Sequence, residues 1–229
     1  VQPFGGEGKS GTGPKAGGPF YVPRLAGWAD LPPTAVGLRR EVDAADCLGP
    51  FHALAAWAQR LGLRRLVHAC AEYAAVTPLA YRAELPGPTG ERNTLGFAPR
   101  GRVLCRTADE GEFLEQLAAV LATGNTPVLP SDSPGHALAA PLPAPVASTC
   151  QGFAPGQEAG LAAVLYGGDR ESLAALRQRV ADCGERIVPV IEADPETGHY
   201  PLYRLVCERV LSVNTTAAGG NTRLMTLAG

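Results

Sequence analysis

The feature that most restricts the fold of this chain is an alternation of two hydrophobic periods through its second half. "RVLCRT" at 102 to 107 is a short apolar run of strand type, and Leu114, Leu117 and Leu121 then recur on one helical face before "TPVL" at 126 to 129. The pattern returns further on: "LAAVLYGG" at 161 to 168 reads as a buried strand, Leu173, Leu176 and Val180 as a helix face, and "RIVPVIE" at 186 to 192 as another strand. Successive strands joined through a helix must run in the same direction, so the alternation predicts an α/β fold, a Rossmann-like parallel sheet with flanking helices. Thr107 and Glu110 stand at capping-box spacing and Gly124 closes a helix of about fifteen residues.

Around this block the chain is more varied. Residues 21 to 51 hold Pro23, Pro32, Pro33 and Pro50 and read as a linker. Leu54, Trp57, Ala58 and Leu61, then Gly62, then Leu63, Leu66, Val67 and Cys70 predict an αα-hairpin. Residues 85 to 101, rich in Pro and Gly, break the helical pattern and lead into the first strand. A last helix is expected from about Pro201, with Leu202, Leu205 and Val206 on one side.

The terminal stretch "VLSVNTTAAGGNTRLMTLAG" at 210 to 229 carries one charge, Arg223, and a Gly219–Gly220 pair. A disordered tail is rich in charge, Pro and Ser; this one offers Val210, Leu211, Val213, Leu224, Met225 and Leu227 for burial. Two readings stay open, a docking segment that lies in a groove of a larger body and an edge strand with a frayed end.

Composition excludes several functions. A net charge of -2 over 229 residues leaves no basic footprint for nucleic acid. No apolar run approaches the roughly 18 residues of a membrane span, which makes the cytoplasm the expected compartment. The six cysteines (Cys47, Cys70, Cys105, Cys150, Cys183, Cys207) are scattered singly and the four histidines stand apart, so neither a metal site nor an activated nucleophile is expected. A start at Val1 and a sole methionine at Met225 suggest a piece of a longer polypeptide.

Residues 1 to 20 carry seven glycines, at 5, 6, 8, 11, 13, 17 and 18, and a stretch so poor in side chains must run close against something else. Gly6, Gly8 and Gly11 fit GxGxxG, but no strand precedes them, and Gly8, Lys9 and Ser10 lack the upstream glycine of a phosphate loop. The string "QPFGGEGKSGTGPKAGGP" instead resembles the C-terminal signature of aldehyde dehydrogenases, in the glutamate-semialdehyde branch. That resemblance implies that Phe4 packs on the aliphatic part of an aldehyde, as a rigid apolar wall would; a core aromatic is the other reading. "LAAVLATGNTPVLPSDSP" resembles a stretch of the same family's cofactor domain, with Pro130 where that family has a ribose-contacting lysine.

Over most of its length the chain is similar to the C-terminal region of the bifunctional proline utilisation A family, carried by "GPTGERNTLGFAPRGRVLC" and "ERVLSVNTTAAGGNTRLMTLAG". The resemblance implies FAD-dependent oxidation of proline and NAD-dependent oxidation of glutamate semialdehyde in the parent protein, with the intermediate passed through an internal tunnel. It implies four parts: the end of the catalytic aldehyde dehydrogenase domain (1 to 27), a linker and helical hairpin (28 to 84), a Rossmann-like domain that has lost its cofactor (85 to 200), and a C-terminal helix with a tunnel-sealing motif (201 to 229). Its expected partners are the upstream dehydrogenase domain of the same chain and further copies of the parent, with no nucleic acid and no metal. NAD and FAD would belong to the parent and neither to this part, which would hold no catalytic residue and act as a lid, in a parent that is cytoplasmic or peripheral at the inner membrane face. A free-standing NAD-binding dehydrogenase and a non-catalytic interaction module are the competing functions.

Overall fold

The computed structural model describes residues 2–6, 8–26, 33–40, 48–138, 140–154, 156–158, 160–183 and 186–215. The helical hairpin forms where the apolar stripes place it, as α2 (Gly49–Leu61) and α3 (Arg64–Val76). Gly62 turns the corner at φ 67°, a left-handed conformation that a side chain would disfavour, and its N–H closes on the carbonyls of Ala58 and Gln59.

The alternating block folds as a parallel sheet. Strands β4 (Arg102–Arg106), β5 (Thr126–Pro130), β6 (Gln151–Phe153), β7 (Leu161–Tyr166) and β8 (Val190–Glu192) lie in the order β6-β5-β4-β7-β8, every neighbouring pair parallel. Side chains alternate across it: Val103, Cys105, Ala163 and Leu165 face one core, Leu104, Val164 and Tyr166 the other. Helix α4 (Glu110–Ala122) lies between the sheet and the hairpin, with Phe113, Leu117, Ala118 and Val120 fully buried. Helix α6 (Arg170–Asp182) covers the opposite face with Leu173, Leu176 and Val180 alone, and its outer side is solvated. A leucine buried in this way contributes roughly 1.5–3 kcal/mol.

Three sequence expectations are corrected here. The cap of α4 is Asp109, whose carboxylate accepts from the Glu112 N–H at 2.7 Å, so Thr107 and Glu110 do not form a capping box. No helix starts at Pro201: residues Leu202–Leu205 make one tight 3-10 turn and the chain then straightens into strand β9 (Val206–Asn214). And much of 85 to 101 is strand, β3 (Glu91–Pro99), paired antiparallel with β9 from Glu91↔Asn214 to Pro99↔Val206. The β-branched Val206, Val210 and Val213 suit an extended backbone, and β3 supplies the partner that a helix would not need.

With β1 (Arg39–Arg40) and β2 (Tyr81–Leu85) these strands make a second sheet, antiparallel, in the order β1-β2-β3-β9. The parts expected to divide at 84/85 and 200/201 therefore interleave, since 81 to 99 and 206 to 214 belong to one sheet. Its core includes Leu79, Tyr81, Leu95, Phe97 and Val206 together with Phe20 from the glycine-rich end. Phe20 stacks on Tyr203 (centroids 5.4 Å, planes 8° apart) and meets Phe97 edge-on. The linker expected over 21 to 51 contains helix α1 (Tyr21–Ala26) and a 3-10 turn at Pro33–Val36. A further short helix, α5 (Ala144–Ala147), lies before β6.

Buried polar groups fasten the two sheets. Asn125 accepts from the Gly101 N–H and donates to Thr123 Oγ1 and to the Leu205 carbonyl, each at 2.8 Å, so it ties the turn before β4, the end of α4 and the turn before β9. The glycine-rich end is fastened by Glu208, a buried carboxylate on β9 that accepts from the Lys15 N–H at 2.6 Å. A Cβ on Gly18 would lie 2.6 Å from Glu208 Oε1, the close backbone approach that this composition requires.

Candidate functional site

The order of the parallel sheet defines where a ligand would sit. From β4 the chain moves outward to β5 and β6, then returns to the other side of β4 for β7 and β8. The connections leaving β4 and β7 thus diverge, and open α/β sheets bind ligands in the crevice beyond such a reversal. A cleft of about 340 Å³ lies there, lined by Arg106, Thr107, Tyr166, Gly167, Asp169 and Arg179 among others. A second, of about 300 Å³, shares Arg106, Asp132 and Arg179 and has Pro130 in its wall.

A dinucleotide would place its pyrophosphate at the N-terminus of the helix after β4. Two carboxylates already occupy that region. Asp109 caps α4, and Glu112 accepts from the Thr107 hydroxyl at 2.9 Å and from the Tyr200 hydroxyl at 3.1 Å. Gly167, just after β7, lies so close that a Cβ there would fall 1.9 Å from the Glu112 carboxylate carbon. Helix α6 is capped in the same manner, Asp169 accepting from the Ser172 N–H and hydroxyl at 2.8 and 2.7 Å. These bonds hold the Asp169 carboxyl below its ordinary range. An incoming phosphate would meet like charge at both helix ends, so the residues present do not fit the group.

The cationic side of the cleft is partly engaged. Arg106 holds Asp132 through two contacts from one nitrogen, 2.6 and 2.8 Å, which depress the Asp132 pKa. Arg179 lines both clefts. Glu158 stands across the second one.

Phe4, the one substrate-contacting residue expected from the sequence, lies far from core status. Its ring is 86% exposed, while its N–H donates to the Ala16 carbonyl at 2.9 Å and fixes the backbone around it. Of the terminal segment, residues 210 to 214 belong to β9; residues 216 to 229, with the Gly219–Gly220 pair and Met225, lie outside the described residues.

The histidines, isolated in the sequence, are not all isolated in space. His199 Nδ1 lies 2.7 Å from Glu115 Oε1, its ring edge-on to Tyr73 at 5.3 Å and 6.2 Å from the His68 ring. The Tyr200 N–H donates to the Tyr73 hydroxyl at 2.8 Å, and Gln116 donates to the Tyr200 hydroxyl at 2.9 Å. Burial, then Glu115, pushes the Tyr73 phenol well above its usual range. The signal in the sequence is Gln116, a polar residue inside the apolar run of α4; buried there, it needs a partner from elsewhere in the chain.

Cys70, Cys105 and Cys150 pack in or against the core. Burial pushes Cys70 up to about 12 and Cys150 to about 11, far from a nucleophile's range. Among the described residues no set of three or more His, Cys, Asp or Glu side chains could hold a metal ion, and no helix is long and apolar enough to cross a membrane.

A parallel α/β layer joined to an antiparallel sheet places the chain in the mixed α/β class, and solved proline utilisation A structures share this fold. A mutant of the Bradyrhizobium japonicum protein superposes with a TM-score of 0.52 at 20% identity, over 75% of this chain and 21% of that one. The Bdellovibrio bacteriovorus protein inactivated by N-propargylglycine gives 0.52 at 13% identity, over 67% and 21%. No family model matches the chain. Curated relatives are closer in sequence: the bifunctional protein PutA of Salmonella typhimurium is 44% identical over 241 residues, that of Escherichia coli 44% over 239, and that of Rhizobium meliloti 37% over 237. Each alignment takes in 99% of this chain, which spans 18% of the length of each of these relatives. Over nearly its whole length the chain is thus similar to one part of these proline utilisation A proteins.

Proposed function

We propose that this chain is the non-catalytic C-terminal part of a bifunctional enzyme that oxidises proline to glutamate, and that it serves there as a structural lid. In this reading an FAD-dependent step oxidises proline, water opens the cyclic product to glutamate semialdehyde, and an NAD-dependent step oxidises the aldehyde. Catalysis resides in the rest of the parent, upstream of Phe4; the parallel sheet is a bracket, and β9 carries the terminal segment back towards the dehydrogenase body to close the tunnel. The observation that carries the reading is the pair of carboxylates, Asp109 and Glu112, standing where a cofactor sheet would receive a phosphate. The exposed Phe4 ring supports it too: an apolar surface 86% open on this chain is suited to face a substrate or the dehydrogenase domain. The parent would be cytoplasmic or peripheral at the inner membrane face, and further copies of it would assemble around this part.

The test has two arms. This chain alone, given NAD and the semialdehyde, should form no NADH; turnover would place an active site within it. In the parent, deletion of 216 to 229 should leave proline oxidation intact and release semialdehyde that an external trapping amine captures, whereas undiminished coupling would remove the lid.

A further inference from the structure

Three observations meet at the open end of the antiparallel sheet. Asn93, on β3, is a polar side chain only 2% exposed. Its Oδ1 accepts two hydrogen bonds, from the Gln2 amide at 2.8 Å and from the Ser212 hydroxyl, on β9, at 2.5 Å. The Gln2 amide also reaches Ser212 Oγ, and Glu91 Oε1 at 3.4 Å. Asn93 and Ser212 are directly opposite in the β3–β9 register, so one buried carbonyl fixes the ribbon and the residue two before Phe4 together. The sheet does not demand this: an apolar pair opposite each other would serve the ladder equally well, and a buried amide is retained at a cost unless its partners are held in place.

The consequence is geometric. Gln2 precedes Phe4 by two residues, and Ser212 lies on β9, the strand paired with β3. Downstream of Phe4, the Ala16 carbonyl holds its N–H. The backbone at Phe4 is thus anchored on both sides, once to its own loop and once, through Gln2, to the β3–β9 ribbon.

We propose that Gln2, Asn93 and Ser212 form a latch that positions the Phe4 wall on the β3–β9 ribbon, making Gln2 a positioning residue for aldehyde binding in the parent enzyme. This rests on the proposed role of Phe4. It makes the placement of Phe4 depend on one set of hydrogen bonds to the ribbon.

The experiment uses the parent enzyme. Gln2→Glu keeps size but replaces the donating amide with a carboxylate that faces Asn93 Oδ1 and Glu91. Ser212→Ala removes the hydroxyl, and Ser212→Thr restores it. A bond of this kind contributes about 0.5–1.5 kcal/mol, so KM for the semialdehyde should rise roughly twofold to tenfold in Gln2→Glu and Ser212→Ala, with kcat for NADH formation less affected. Ser212→Thr should return to the native KM, and proline oxidation should be unchanged throughout. Phe4→Ala is run beside them. If Phe4→Ala raises KM while Gln2→Glu and Ser212→Ala leave it native, the latch is wrong and the reading of Phe4 stands. If Phe4→Ala itself has no effect on KM, the reading on which the latch rests fails. A KM raised equally by Ser212→Thr and Ser212→Ala also overturns the latch, because the hydroxyl would then be irrelevant.

Discussion

The two sheets of this molecule are built on opposite principles. In the parallel sheet β4 reaches β5 through one helix, and β7 reaches β8 through another, so these two pairings, unlike that of β4 with β7, are signalled by their own neighbourhood in the sequence. In the antiparallel sheet β3 pairs with β9 over nine residue pairs, although the entire parallel sheet intervenes between them in the chain. The difference teaches where a hydrophobic period carries topology: it does so when the element that covers a strand follows it directly, and fails when the partner is remote.

The largest effects should come from the buried leucines, one on each side of that contrast. Leu117→Ala on α4 and Leu95→Ala on β3 each remove a side chain that is 0% exposed, and each should cost about 2–5 kcal/mol in urea unfolding. If the sheets unfold as one unit, both variants lower the same single midpoint. A second transition that moves only with Leu95→Ala would show the antiparallel sheet to be an independent unit.

Next is the joint itself. Asn125→Ala strands the Gly101 N–H and the Leu205 carbonyl in a buried position, a loss of about 1–3 kcal/mol. Amide exchange should accelerate in β9 as well as at Gly101 if Asn125 couples the sheets. Acceleration at Gly101 alone would make it a local brace.

Legibility followed the same line. The hairpin, α4, α6 and strands β4, β5 and β7 could be read because Leu54, Leu114 and Leu173 each begin a repeat that their own element completes. β3 could not: Gly96 and Pro99 look like turn residues, yet Gly96 is where the Arg82 side chain from β2 crosses (a Cβ would meet its Nη1 at 2.0 Å), and Pro99 ends the strand. β6, in a passage dense with Pro and Ala, holds only three residues and has too few for a period. The reversal point of the sheet was not accessible, because strand order is set by tertiary packing and β6 carried no signal; the turn before α4, by contrast, shows no glycine before Gly111. The bonds from Tyr200 to Glu112 and between Glu115 and His199 join residues more than eighty positions apart and left no local trace.

The smallest effect belongs to the rim of the cleft. Arg106 pulls the Asp132 carboxyl below the ordinary carboxylate range, so the pair contributes stability above the ordinary pKa and loses it as pH falls through the lowered folded value. Both side chains are open to solvent, 40% and 63%, and the contribution should be under about 1 kcal/mol. Comparing acid unfolding of the native chain with Asp132→Asn below pH 4 measures it; an effect that persists unchanged at more acidic pH would assign the loss to another group.

The carboxylates at the turn after β4 are tested most directly by calorimetric titration of this chain with NAD at neutral pH. The account predicts heats indistinguishable from dilution through millimolar dinucleotide. A saturable isotherm with one site per chain would contradict it.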